Sequence, residues 1–233
     1  LAGIDISEQD FQQDAITATL VCSKHHGNTA FQVFTPSGPV AMLPLSDSRC
    51  SLVWSRDRDD VDEILSMDED TFCKQLESQF SVHLGHLELA GPRMRFPLHS
   101  RHARCYVADQ LALVGDAAHT IHPLAGLGVN LGMQDAAALV ETVTTARQSG
   151  KKATGRSVLR RYERWRRGEN GAALRAMQGF KSTFGTESGP VRQIRAAAFL
   201  AADQIAPLKH VLAQLAMGTR GDLPAASLSV MEE

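Results

Sequence analysis

The chain has 233 residues, a formal net charge of −2 and 43% hydrophobic residues. That balance excludes a strongly basic nucleic-acid binder, and no apolar run reaches the roughly 18 residues of a membrane span. Cys22, Cys50, Cys73 and Cys105 stand far apart with no C-x-x-C pair, so they read as reduced thiols of a cytoplasmic protein.

The chain starts at Leu1, and "LAGIDISEQD" has no obvious beginning, so a piece of a longer protein is expected. Residues 15–55 predict a meander of antiparallel strands: "AITATLVC", "TAFQVFT", "VAMLPL" and "CSLVWS". The turn signals "HHGN", "PSGP" and "SDSR" separate them. In "SMDEDTFCKQLESQF", Ser66 and Asp68 lie near a helix start, and Phe72, Leu76 and Phe80 follow at helical spacing. "LELAGPRMRFPL" reads as extended, "HSRHARC" as a loop and "LALVG" as a buried strand. A helix is expected from Gly128 to about Arg147, with Val129, Met133, Ala136, Val140 and Val143 on a repeating face. Helices are also expected over Ser157–Met177, Val191–Ile205 and Leu208–Met217, before a loose tail.

The stretch that carries chemistry is "LALVGDAAHTIHPLAGLGVNLGMQDAAAL", residues 111–139. Gly115 lets the chain turn where the strand ends, and Asp116 places a carboxylate at a strand tip, where it can accept hydrogen bonds from hydroxyls. Pro123 stiffens the next loop, and Gly126 and Gly128 allow close approach. The first turn of the following helix, with Asn130 in it, offers unpaired N–H groups and the positive end of a dipole. Such a place suits a phosphate, or a ring that turns anionic on reduction. Gly128 and Gly132 share one face and permit close helix packing.

"GDAAHTIHPLAGLGVNLGMQDAAAL" resembles the second FAD-binding motif of the aromatic-ring hydroxylases with the p-hydroxybenzoate hydroxylase fold. It is most similar to their ubiquinone-biosynthesis branch, of UbiH/VisC or 2-polyprenylphenol hydroxylase type. The strands "AITATLVCSKHHGNTAFQVFTPSGPVAMLPLSDSRCSLVWS", and "RRYERWRR", "MQGF" and "AMGTRGDLP" further on, resemble the same branch. The resemblance implies an α+β / α/β fold with three parts. Residues 1–103 would form a substrate-side sheet domain with one helix, 104–150 the strand-loop-helix that contacts FAD, and 151–233 a helical region.

By the same resemblance Gly115 belongs to the cofactor site, Asp116 binds the ribityl chain, and Pro123, Gly126, Leu127, Gly128, Val129 and Asn130 line the flavin ring. Leu127 stands where the family has Gln, within "AGLGVN". The implied activity is a monooxygenase that hydroxylates a prenylated phenol with O₂ and NAD(P)H or another reductant. The implied surroundings are other ubiquinone-biosynthesis proteins and the inner face of the membrane, touched peripherally. The family's G-x-G-x-x-G turn does not occur here, so the N-terminal Rossmann lobe is expected to be missing and the piece alone to be inactive.

Other features compete for attention. The pairs His83/His86, His99/His102 and His119/His122 lack the spacing of a zinc site, so no metal is expected. "KKATGRSVLRRYERWRR" reads as a solvated helix face, with contact to anionic lipid or a partner as the functional alternative. Tyr162 and Trp165 suit either core packing or an amphipathic anchor; Phe180, Phe184 and Phe199 suit packing or a prenyl channel. No proton-transfer residue is assigned, His119 and His122 included. The second reading of the whole is a non-catalytic scaffold that keeps the fold to hold prenylphenols.

Overall fold

The computed structural model describes residues 3–35, 37–121, 127–184 and 223–225, without the side chains of 127 and 176–184. By internal contacts the chain divides into two compact units, Asp10–Leu98 and Leu1–Gln9 with His99–Glu233.

In the unit Asp10–Leu98 the meander forms as antiparallel strands β1 (Ile6–Cys22, which begins in the other unit), β2 (Phe31–Thr35), β3 (Gly38–Pro44) and β4 (Arg49–Asp57). They lie in the order β2-β3-β4-β1, and β5 (Leu87–Leu89) also pairs with β1. The register Ile16↔Trp54, Ala18↔Leu52, Leu20↔Cys50 sets apolar residues opposite one another on one buried face. This follows from the period-two alternation of a strand.

Helices α1 (Val61–Ser66) and α2 (Glu69–Leu84) belong to the same unit. Phe72, Leu76, Phe80 and Leu84 of α2 share a core with Ile16, Leu20, Leu52 and Trp54. Each such burial is worth about 1.5–3 kcal/mol before entropy is counted. Asp68 caps α2, accepting from the Thr71 N–H at 2.8 Å and the Thr71 hydroxyl at 2.7 Å. These bonds hold its carboxyl below the ordinary carboxylate value. Ser66 instead ends α1, a short helix that the sequence reading did not anticipate. Gly85 stops α2 at φ 72, where any side chain would strike Ser23 and Lys24.

All four cysteines are free thiols, three of them buried. Burial, with a neighbouring Cys50, pushes the Cys22 thiol up to about 12, and burial also raises Cys50 and Cys73.

The other unit takes in the start of β1, where Glu8 meets Arg101 at 2.8 Å. It also holds the end of β6 (Met94–Ala103), the hairpin β7 (Val107–Ala108) and β8 (Leu111–Ala112), and β9 (His119–Thr120), which pairs with Arg101 and His102. Two expectations change here. "HSRHARC" is strand up to Ala103, because β9 offers that edge a hydrogen-bonding partner. "LALVG" is strand only at Leu111 and Ala112, paired to β7; the backbone then leaves for a one-turn 3₁₀ helix at Gly115–Ala117.

Helices α3 (Leu127–Gln148) and α4 (Arg156–Phe184) complete what is described of this unit. Tyr162 is fully buried and donates to the Leu113 carbonyl at 2.7 Å, and Trp165 packs on the same cluster, so both serve the core. Val191–Ile205, Leu208–Met217 and the Phe180, Phe184 and Phe199 side chains lie outside what is described.

Candidate functional site

The turn after β8 is built on two glycines. Gly115 sits at φ 56, a conformation that favours glycine, and a Cβ on Gly132 of α3 would lie 3.2 Å from the Gly115 Cα. The turn and the helix thus meet backbone to backbone. A Cβ on Gly128 would meet nothing within 4 Å among the described residues, so among them it is Gly132 that makes the close approach.

Asp116 follows in the turn with its side chain exposed, and it makes no hydrogen bond or ion pair among the described residues. Gly128, Val129 and Asn130 lie in the first turn of α3, with Val129 76% exposed. Leu127 opens the helix; Pro123 and Gly126 lie outside the described residues. The structure therefore brings Gly115 and Asp116 against α3, in the same unit as the first-turn residues. An exposed carboxylate, without a partner among the described residues, in one unit with the first turn of a long helix fits a ligand that carries hydroxyls and negative charge.

The apolar repeat of α3 is not the face that packs. Val129, Met133, Ala136 and Val140 are exposed, and Leu131, Asp135, Ala138, Thr142 and Ala146 are buried. The reason is Asp135, which sits on the inner face with no exposed surface. Its Oδ2 accepts from the Gly115 N–H at 3.1 Å and from His119 Nε2 at 2.6 Å. Its Oδ1 accepts from Arg166 Nε at 2.7 Å and Asn170 Nδ2 at 3.0 Å, both on α4. Burial alone would raise this carboxyl; the bonds from His119, Arg166 and Asn170 outweigh it and hold Asp135 below the ordinary carboxylate value.

The network continues outward. Arg166 also donates to Gln134 Oε1 at 3.0 Å and to Asn170 Oδ1 at 3.1 Å. Asn170 donates to the Tyr106 hydroxyl at 3.3 Å, which lies 2.9 Å from His102 Nε2. Burial pushes the Tyr106 hydroxyl well above its usual value and, with Arg167, His119 and Arg175, pushes His102 down. Sequence reasoning missed this cluster. Its signal was a carboxylate between Met133 and the run Ala136–Leu139, in register with Leu131 and Ala138 on a helix.

The histidine pairs go separate ways. His119 joins Asp135, His102 joins Tyr106, His86 pairs with Glu77 at 2.6 Å and His83 stacks on Phe31.

Comparison with known proteins agrees with this architecture. The chain is 37% identical over 218 residues to ubiquinone hydroxylase UbiL of Rhodospirillum rubrum, covering 94% of the chain and 51% of that protein. It is 36% identical over 220 residues to 3-demethoxyubiquinol 3-hydroxylase of Escherichia coli, covering 94% of the chain and 56% of that protein. The chain thus spans about half the length of these curated relatives. It shares the fold of p-nitrophenol 4-monooxygenase PnpA from Pseudomonas putida DLL-E4, with a TM-score of 0.68, 20% identity, and coverage of 92% of this chain and 56% of that one. A family match over residues 4–176 encloses the Gly115–Asp116 turn and the start of α3, and the chain belongs to the FAD binding domain family.

Proposed function

We propose that this chain forms part of an FAD-dependent aromatic-ring monooxygenase acting on a prenylated phenol of ubiquinone biosynthesis. The observation that carries the proposal is the exposed Asp116 carboxylate beside the Gly115–Gly132 contact, in a member of an FAD-binding family. Bound FAD would pass electrons from NAD(P)H or another donor to O₂, so that one oxygen atom enters the phenol ring and the other leaves as water.

The chain's own residues supply position and charge. Asp116 would accept hydrogen bonds from the ribityl hydroxyls. The amides of Leu127, Gly128, Val129 and Asn130, at the positive end of α3, would offset negative charge on the ring. Four of the exposed arginines of α4 (Arg156, Arg160, Arg164 and Arg167) share one side of the helix and would face anionic lipid, where a prenylated substrate would reside. Among the described residues no helix is long and apolar enough to cross a membrane.

The test uses the protein expressed from its complete gene. It should purify yellow and couple NAD(P)H oxidation to hydroxylation of a short-chain prenylphenol. D116A should weaken FAD binding roughly ten- to a hundredfold, the equivalent of about 1.5–3 kcal/mol for hydrogen bonds to a charged group. A colourless protein that takes up no FAD would sink the proposal, and FAD binding without hydroxylation would leave the scaffold reading in its place.

A further inference from the structure

Beneath the exposed turn lies a buried charge that the flavin reading does not use. Asp135 is fully buried, and its two oxygens receive four donors from three places: the turn, β9 and α4. A carboxylate has about four acceptor sites, so this one is saturated. Buried ion pairs are a poor way to gain stability, since an apolar cluster of the same volume does as well. Their attested use is to fix one geometry among several. The geometry fixed here is that of the residue immediately before Asp116. The Gly115 N–H points into Asp135, the Gly115 carbonyl accepts from the Ala118 N–H at 2.8 Å, and His119 just beyond returns to the same carboxylate. Both ends of the turn are tied to one side chain.

We propose that Asp135 is the positioning residue of the flavin-side turn: it anchors Gly115 and His119 so that Asp116 is presented to the cofactor, with Arg166 of α4 balancing its charge. The assignment rests on the flavin reading for its purpose and on this network for its mechanism. Asparagine at 135 would keep one acceptor oxygen and place an amide N–H₂ against donors, so about half of the anchoring bonds are lost while the shape is preserved.

D135N is compared with A146G, which loosens the same buried face of α3 at its far end, in the complete gene product. D135N should speed hydrogen exchange at the Gly115 and Ala118 amides at least tenfold in the flavin-free protein. It should also raise the FAD dissociation constant at least tenfold and change the visible circular dichroism of bound flavin. A146G should leave all three within twofold, even where it lowers the melting temperature as much. R166K, which keeps the charge but weakens the fork, should move exchange and affinity in the same direction by about threefold, and it serves if D135N does not fold. Unchanged exchange at Gly115 in whichever variant folds, or a rise spread evenly over the unit, overturns the assignment. A wild-type protein that binds no FAD overturns the flavin reading and the purpose assigned to Asp135. The exchange data then still decide whether Asp135 holds the turn.

Discussion

Gly128 and Gly132 differ by one helical turn and by what a methyl group would meet. At Gly132 an added Cβ would press on the Gly115 Cα at 3.2 Å, and neither backbone can move without shifting the turn. At Gly128 nothing among the described residues lies within 4 Å, so alanine there gains helix propensity, worth up to about 1 kcal/mol. G132A should therefore lower the melting temperature and weaken FAD binding, and G128A should hold or raise the melting temperature. Thermal denaturation of the flavin-free proteins checks the pair. Equal melting of the two variants would show that the backbone contact carries no constraint. The motif was legible at this scale because it is local: Gly115, Asp116 and the helix start follow one another in sequence. Asp135 was not legible as an anchor, since its burial depends on Arg166 and Asn170, which belong to a later helix.

Among the elements, the start and the stripe of α2 could be read in advance because both are local, and its glycine stop, which the reading did not use, is local too. Asp68, the spacing of Phe72, Leu76 and Phe80, and Gly85 each act within a turn or two. The extent of α3 was also predictable, but not its inner face, because Val129, Met133 and Val140 point outward while a saturated carboxylate joins Leu131 and Ala138 on the inside. β8 is shorter than its apolar run suggests; a strand lasts only as long as a neighbour pairs with it, and here that neighbour is two-residue β7. On α4 the buried side carries Val158, Leu159, Tyr162, Arg166 and Asn170, whereas Arg156, Arg160, Arg164 and Arg167 are exposed. This arrangement predicts salt-sensitive binding to vesicles containing phosphatidylglycerol, with little binding to phosphatidylcholine alone. The variant R156E/R160E/R164E/R167E should lose most of that binding in a flotation assay and keep its fold. Retention of binding by this variant would move the lipid contact elsewhere.

For the molecule as a whole, the polar network makes one unit acid-sensitive. His102 has a folded value below the ordinary 6.5, so the unfolded chain takes up its proton first and stability begins to fall as pH drops below about 6.5. Asp135 is likewise held below the ordinary 3.8, so its contribution is complete above that value and is lost as pH falls through the depressed one. Both groups lie in the unit that contains His99–Glu233. Urea midpoints measured from pH 8 down to pH 3 should decline in two stages, and H102N should flatten the upper stage alone. A midpoint independent of pH between 7 and 5 would contradict the depressed His102.

The free thiols have a consequence for handling and for life beside an oxidant. Only thiolate is readily alkylated or oxidised. Cys22, Cys50 and Cys73 are sealed in the core and kept protonated, and Cys105 is half-exposed. Iodoacetamide at pH 8 should label Cys105 in the native protein and the other three only after denaturation, as read by mass spectrometry of the digest. Peroxide formed nearby would then mark the Tyr106 end of the polar cluster long before it damaged the sheet.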